Sequence, residues 1–140
     1  MMKLLYEDKH LCLAVKPTGI LSEDHPTRAC MPALLRGYFQ EGKKSDYIAT
    51  VHRLDKVVGG VMLFSRNPAV TGKLTGLIAR HEVEKEYFAI LRGRPEKDED
   101  TLEDLLFHDS AHNKSFVVQR ERKGVRKASL SYQVLGYCER

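Results

Sequence analysis

Short runs in which apolar and polar side chains alternate recur along the chain of 140 residues. Alternation with a period of two is typical of a β-strand that has one face against a core. Turn-forming residues, including Asp8 and Gly19, separate these runs. The pattern predicts strands at residues 4–7, 11–15, 47–54, 60–64, 83–91, 115–119 and 128–135, with polar loops at residues 42–46 and 92–100.

Two segments show the spacing of amphipathic helices instead. Apolar side chains form a stripe along residues 29–40, where Pro32 suits the first turn. Asn67 followed by Pro68 predicts the start of a second helix, because Asn caps the first turn and Pro needs no donor there. Since strands outnumber helices and alternate with them irregularly, we expect an α+β fold with a mixed, mainly antiparallel sheet and packed helices.

The composition favours one folded domain covering residues 1–140, with 42% apolar and 30% charged residues. No apolar run approaches the ~20 residues that a membrane span needs, and the N-terminus turns acidic at residues 7–8, too early for a signal peptide. Three distant cysteines without a C-x-x-C pair favour a reducing cytoplasm over a disulfide framework. The net charge of +4 permits a nucleic-acid partner.

The segment of residues 51–56 contains the strongest candidate for chemistry. On a strand, Arg53 and Asp55 would share one face, with His52 and Leu54 on the other. A carboxylate beside a guanidinium stays ionised, which suits a nucleophile or a general base. The alternative is an ordinary Arg–Asp surface pair that closes a turn.

The strand predicted at residues 83–91 places Lys85 and Tyr87 on an otherwise apolar face. An aromatic ring there can stack on a base, and its hydroxyl can move a proton. The alternative is a core tyrosine with its hydroxyl near water, beside a lysine that extends to the strand's edge.

Residues 119–127, which we call the basic tip, contain five basic residues and one acid, and their net +4 equals the formal charge of the whole chain. We interpret them as the tip of a hairpin between the last two predicted strands. Such a tip can contact nucleic-acid phosphates, which position the nucleic acid without specifying its sequence. A solvated turn is the alternative. The basic residues are Arg120, Arg122, Lys123, Arg126 and Lys127.

The chain contains no phosphate-binding Gly-Lys loop and no dinucleotide glycine fingerprint. Its histidines lack ligand spacing with a cysteine or carboxylate partner. Residues 22–25 hold hydrolase-type side chains without a nucleophile elbow. The sequence therefore predicts no metal and no bound cofactor.

Taken in order, these motifs resemble the RluA-type family of pseudouridine synthases. The resemblance covers about residues 4–135, and four motifs in the family's order and spacing are far more specific than any one alone. Residues 6–8 and 15–19 resemble the opening E-D … K-P-x-G, residues 52–55 match H-R-L-D, residues 85–87 match K-x-Y, and residues 127–132 resemble the A-x-T-x-Y strand.

Two features depart from the family pattern. Val58 and Gly59 replace a Thr-Ser pair, and we expect the loss of two hydroxyls to loosen the loop of Asp55 or to alter contacts to a phosphate. The sequence ends at Arg140, before a Gly-Arg-x-His-Gln-x-Arg stretch whose basic residue pairs with the catalytic carboxylate. We therefore expect a catalytic domain at residues 1–140, incomplete at its C-terminus, with an exposed sheet edge that permits self-association.

The resemblance implies an isomerase that converts uridine to pseudouridine in structured ribosomal or transfer RNA, with no cofactor. Asp55 would be the catalytic carboxylate, either attacking the ribose C1′ or removing a ribose proton. Tyr87 would stack on the uracil and assist proton loss at its C5. Arg53 would help to hold the opened RNA, Lys85 would lie near the site, and the residues on the opposite face, among them His52, would shape the backbone.

Two other functions fit the same residues. One is an RNA-binding relative or fragment that has the fold but no activity of its own. The other is a protein that binds no RNA, in which Arg53 and Asp55 form a structural pair.

Overall fold

The computed structural model describes residues 2–41, 47–112 and 114–138. The predicted polar loop at residues 42–46 lies outside them. The chain forms two compact units, Met1–Tyr87 and Phe88–Arg140. Each unit has its own β-sheet, so the two are described separately.

The first unit is built on a four-stranded sheet with the order β1-β2-β4-β3. Every pairing in it is antiparallel, and the short turn after Glu7 joins the first two strands. Two helices follow the second and fourth strands. The elements are β1 (Lys3–Glu7), β2 (Leu11–Lys16), α1 (Met31–Glu41), β3 (Ala49–Thr50), β4 (Gly60–Ser65) and α2 (Pro68–Ala79).

The core of this unit lies between α1 and the two central strands. Alternate residues of β2 are buried, and Cys12 and Ala14 pair directly with Phe64 and Met62 of β4. One face of α1 packs on them through apolar side chains four residues apart, a helical spacing. These side chains are Met31, Leu35 and Phe39.

The start of α2 confirms the helix that the Asn-Pro pair predicts. Asn67 has an extended backbone, and its Oδ1 accepts a hydrogen bond from the Ala69 N–H at 2.9 Å. Pro68 occupies the first turn, where its missing N–H costs no intrahelical hydrogen bond.

The second unit is a three-stranded antiparallel sheet with the order β6-β5-β7. Its strands are β5 (Glu99–Asp109), β6 (Lys114–Val117) and β7 (Val125–Gln133). The predicted hairpin between the last two strands is wrong, because β6 and β7 both pair with β5 and not with each other. Alternation of apolar and polar residues does not predict the long central strand β5, because most of its first seven residues are exposed.

The strand predicted at residues 83–91 is not formed within the described part of the chain. A strand needs a neighbouring backbone to satisfy its N–H and C=O groups, and residues 83–91 pair with none. The side chains of residues 84–91 are exposed, with Phe88 at 88% and Ile90 at 102% of full accessibility. Apolar residues in an extended pattern therefore do not suffice to form a strand here.

The α+β class with antiparallel sheets and packed helices is confirmed. The parallel component of the expected mixed sheet is limited, in the described residues, to one isolated bridge between Leu21 and Cys30. Within residues 2–41, 47–112 and 114–138, no helix has the length and apolar character to cross a membrane.

Two neighbouring leucines of α1 test whether its inner face anchors the first unit. Leu35 is completely buried, whereas Leu34 is 41% exposed. We expect Leu35→Ala to lower the free energy of unfolding by about 2–5 kcal/mol, because it leaves a cavity. Leu34→Ala should cost about 1 kcal/mol or less. Amide hydrogen exchange in β2 and β4 measures both values, and equal losses would contradict the packing described.

Candidate active site

Asp55 is exposed on the loop between β3 and β4, at the mouth of a cleft of about 250 Å³. Two segments of the first unit line this cleft. They are residues 21–28, through six of their side chains, and residues 53–56. The charged groups facing the cleft include Glu23, Asp24 and Arg53.

The prediction of a strand at residues 47–54 is wrong for its second half. Only Ala49–Thr50 pair with β4, and the chain then leaves the sheet as a loop. The shared strand face expected for Arg53 and Asp55 therefore does not exist. The Arg53 Nε instead lies 3.2 Å from the Glu23 Oε2, so that the guanidinium pairs across the cleft.

The backbone beyond Asp55 is held by the segment that follows β2. The Lys56 carbonyl accepts hydrogen bonds from the Gly19 N–H at 2.7 Å and from the Lys16 Nζ at 3.3 Å. Lys16 is completely buried. Burial lowers the pKa of its ammonium group, while the negative charge of Asp55 opposes that shift. A buried cation thus fixes the loop next to the exposed carboxylate.

The turn after Asp55 closes through the backbone. The Val58 N–H donates to the Asp55 carbonyl at 2.9 Å. Gly59 lies against the Lys16 carbonyl, and a Cβ at Gly59 would be 3.4 Å from that oxygen, an ordinary contact distance. The expected loosening of the loop by Val58 and Gly59 remains a prediction, but this turn forms without a side-chain hydroxyl.

The Asp55 carboxylate itself forms no hydrogen bond and no ion pair with residues 2–41, 47–112 or 114–138. Asp24, in the same cleft, forms an ion pair with Arg36. The loop is thus held by its main chain, and the charged end of Asp55 is left available at the cleft.

His52 points away from the cleft and connects the loop to β4. Its Nε2 accepts a hydrogen bond from the Leu63 N–H at 2.9 Å, which confirms the prediction that this side chain shapes the backbone. An accepting Nε2 places the ring proton on Nδ1. Burial lowers the pKa of His52, and the positive charge of Lys85 adds to this shift.

The structure places Lys85 near His52 and leaves Tyr87 exposed. Among the described residues, neither lines the cleft of Asp55. The Tyr87 side chain is 62% accessible, on the extended segment that pairs with no strand. Four predicted site residues lie in the first unit, namely Arg53, Asp55, Lys85 and Tyr87. The structure brings together only Arg53 and Asp55 at the cleft.

The basic tip belongs to the second unit, where residues 118–124 connect the two edge strands across the end of β5. All five of its basic side chains are exposed. The Lys127 Nζ lies 3.3 Å from the Glu121 Oε1, and the Arg122 guanidinium lies 4.8 Å from the ring centre of Phe107. Arg120, Lys123 and Arg126 form no ion pair within the described residues.

The described part of the chain holds no group of three or more His, Cys, Asp or Glu side chains arranged to bind a metal ion. The cleft is lined by carboxylates, guanidinium groups, the His25 imidazole, the Lys56 ammonium group and the Ser22 hydroxyl.

Comparison with known proteins connects this cleft to an RNA-modifying family. The family model described as RNA pseudouridylate synthase matches residues 10–140. The chain belongs to this family. The match covers the loop of Asp55, the segment that holds it and the basic tip.

Curated relatives support an RluA-type member. The chain is 30% identical over 98 residues to tRNA pseudouridine synthase C of Vibrio cholerae, covering 66% of this chain and 38% of the relative. It is 28% identical over 102 residues to the dual-specificity RNA pseudouridine synthase RluA of Haemophilus influenzae, covering 69% and 43%. The matches thus span about two fifths of these relatives.

Two solved structures share the fold. Human RNA pseudouridylate synthase domain containing 4 has a TM-score of 0.77 at 24% identity, covering 96% of this chain and 54% of the human one. Human RNA pseudouridylate synthase domain containing 1 has a TM-score of 0.69 at 16% identity, covering 94% and 51%.

Sequence reasoning missed several residues that build the site. Glu23 pairs with Arg53, and Lys16 holds the carbonyl next to Asp55. Ser22 contacts the same loop, although its neighbours suggested only a hydrolase-type cluster. No spacing in a single sequence reports these contacts, because they join segments about 30 to 40 residues apart.

Because the folded-state pKa of His52 is lowered, the neutral ring contributes stability above the unfolded pKa of about 6.5. That contribution is lost as the pH falls. We expect wild-type protein to lose more unfolding free energy between pH 7.5 and pH 5 than His52→Gln, whose amide can accept from Leu63 without titrating. Urea unfolding at both pH values measures the difference. Equal losses of unfolding free energy in the two proteins would contradict the assignment of a neutral His52 ring.

Proposed function

We propose that this protein isomerises uridine to pseudouridine in RNA, with Asp55 as the catalytic carboxylate. Membership of the RNA pseudouridylate synthase family supports the reaction class. The observation that favours Asp55 is its place in the structure. A loop held by main-chain hydrogen bonds presents its carboxylate to a cleft, and that carboxylate has no partner in the described residues.

The reaction changes the connection between the base and the ribose and leaves the atoms in balance. The bond from C1′ to N1 of the uracil breaks, the base rotates, and a bond from C1′ to C5 forms. The proton on C5 is lost, and N1 gains one. Because the product is an isomer of the substrate, no oxidant, reductant or group donor is consumed.

Asp55 can act in this sequence in two ways. As a nucleophile, its carboxylate attacks C1′ while the bond to N1 breaks, and it leaves when C5 attacks C1′. As a general base, the carboxylate removes a ribose proton, so that the uracil is eliminated and then added again. Both roles need an ionised carboxylate that reaches the sugar, and Asp55 lies exposed at the cleft.

The other site residues are assigned by their chemistry. Arg53, held by Glu23 at the cleft wall, contacts the opened RNA. Tyr87 offers an exposed ring on which uracil can stack, and its hydroxyl is suited to assist proton loss at C5. Lys85, near His52, places positive charge close to the loop of Asp55.

We further propose structured transfer or ribosomal RNA as the substrate and the cytoplasm as the location. Curated relatives bear the names tRNA pseudouridine synthase C and dual-specificity RNA pseudouridine synthase, which supports this choice. We take residues 1–140 as part of the catalytic domain, acting without a cofactor. We propose that self-association occurs through an exposed sheet edge.

The basic tip is proposed to bind RNA phosphates. Its exposed cations are concentrated on one loop and the start of β7, and four of the five have no acidic partner among the described residues. Phosphate contacts of this kind release counterions, so they give binding that weakens as salt rises. Such contacts position the RNA and leave the choice of uridine to other surfaces.

We expect Asp55→Asn to abolish pseudouridine formation, because the amide can neither attack C1′ nor accept a ribose proton. Tritium release from RNA labelled at C5 of uridine measures the reaction. RNA affinity should change by less than about tenfold, since one exposed side chain is replaced by a neutral one of the same size.

Asp104→Asn is the matched control, because Asp104 is also an exposed carboxylate but lies on β5 of the second unit. This variant should release tritium at the wild-type rate. Activity in Asp55→Asn would exclude the catalytic role of Asp55. If wild-type protein bound RNA without tritium release, the chain would be an RNA-binding relative without activity of its own.

Replacing Arg120 and Lys123 together by Gln should weaken RNA binding and reduce the slope of log affinity against log salt by about 1 for each phosphate contact removed. Filter binding to transfer RNA over a range of salt concentrations measures the slope.

Lys114→Gln is the matched control, because Lys114 is an exposed lysine at the start of β6, outside the basic tip. Its salt slope should equal that of the wild type. An unchanged slope in the double variant would show that the basic tip is a solvated loop.

A further inference from the structure

We infer that Ser22 is a positioning residue for Asp55, an assignment that rests on the proposed function of Asp55. The Ser22 hydroxyl fixes the two peptide groups that lead into Asp55 from its N-terminal side.

The Ser22 Oγ contacts both backbone polar groups of Leu54. It accepts a hydrogen bond from the Leu54 N–H at 3.0 Å and donates one to the Leu54 carbonyl. A hydroxyl that donates and accepts in this way replaces the strand neighbour that Leu54 lacks after the chain leaves the sheet. Ser22 is only 5% exposed, so these bonds are shielded from water.

The two groups of Leu54 belong to successive peptide planes. The N–H lies in the plane that joins Arg53 to Leu54, and the carbonyl lies in the plane that ends at the Asp55 nitrogen. Because each peptide plane is rigid, fixing both restricts the two backbone dihedral angles of Leu54. The direction of the Asp55 side chain depends on these angles.

Ser22 is itself fixed by the core of the first unit. The preceding Leu21 donates its N–H to the Ala29 carbonyl at 3.1 Å and accepts from the Met31 N–H at 2.8 Å, at the start of α1. On the other side, the Thr50 Oγ1 donates to the Ser22 carbonyl at 3.1 Å. A continuous path of hydrogen bonds therefore leads from α1 through Ser22 to the loop of Asp55.

Ser22 lines the cleft together with Asp55, and its hydroxyl both donates to and accepts from Leu54. Because this hydroxyl is already bonded to Leu54 and Ser22 is only 5% exposed, we expect it to act on the loop of Asp55 and not as a direct substrate contact. Ser22→Ala removes both bonds at once and should lower kcat about 10- to 100-fold, because a small misplacement of a reacting group has an effect of this size. The KM for RNA should change by less than about twofold.

Two variants accompany Ser22→Ala in steady-state kinetics on transfer RNA. Ser22→Thr retains the hydroxyl and should restore kcat to within about threefold of the wild type. Ser65→Ala removes another buried serine hydroxyl, which bonds to the Asn67 carbonyl and to Thr71. It should leave kcat unchanged although it also destabilises the first unit. Equal kcat in wild type and Ser22→Ala would overturn the proposal.

A second measurement does not depend on activity. Amide hydrogen exchange of Leu54 should accelerate at least about tenfold in Ser22→Ala, while the amides of β2 keep their wild-type protection. Ser65→Ala should leave Leu54 unchanged. Unaltered exchange at Leu54 in Ser22→Ala would overturn the positioning role.

The two measurements also distinguish failure of this proposal from failure of the proposed function. If Ser22→Ala accelerates Leu54 exchange and Asp55→Asn retains activity, Ser22 holds the loop but Asp55 is not catalytic, and the proposal falls with that role. If Asp55→Asn is inactive and Ser22→Ala behaves as the wild type in both measurements, the proposed function stands and Ser22 has no positioning role.

Discussion

The candidate site depends on the hydrogen bonds between residues 16–22 and the backbone on either side of Asp55. Ser22 holds Leu54 on one side, and Gly19 with the buried Lys16 holds the Lys56 carbonyl on the other. The Asp55 carbonyl completes the set by accepting from Val58. An exposed loop outside the sheet thereby gains the order of a strand without having a strand neighbour.

This arrangement reconciles an ordered backbone with a reactive side chain. Among the described residues, the Asp55 carboxylate has no hydrogen-bond or ion-pair partner. Asp55 is instead held through its main chain. Some of the neighbouring charges have partners of their own, since Arg53 pairs with Glu23 and Asp24 pairs with Arg36. The His52 ring completes the support by accepting the Leu63 N–H from β4.

Local chemistry made part of this structure predictable. The Asn67–Pro68 pair marks the start of α2, and alternation marks β1, β2 and β4, because these signals act within a few residues. The motif of residues 52–55 indicated the family and the importance of Asp55. It did not indicate that these residues leave the sheet, because strand formation requires a partner backbone that the motif does not specify.

Contacts between residues far apart in the sequence explain the remaining differences between the predicted and the observed structure. The strands β6 and β7 are close in sequence, yet each pairs with β5, whose exposed charged positions hide its pattern. Residues 83–91 have the composition of a strand and no partner in the described residues. Ser22 is equally hidden from sequence analysis, since its contact with Leu54 joins residues 32 positions apart.

The central claim is that the backbone around Asp55 is rigid in the free protein. Nitrogen-15 relaxation of the amides of residues 54–56 tests it most directly. We predict order parameters near those of β4, about 0.85, as for a rigid backbone. Values below about 0.6 would show a flexible loop and would contradict the account.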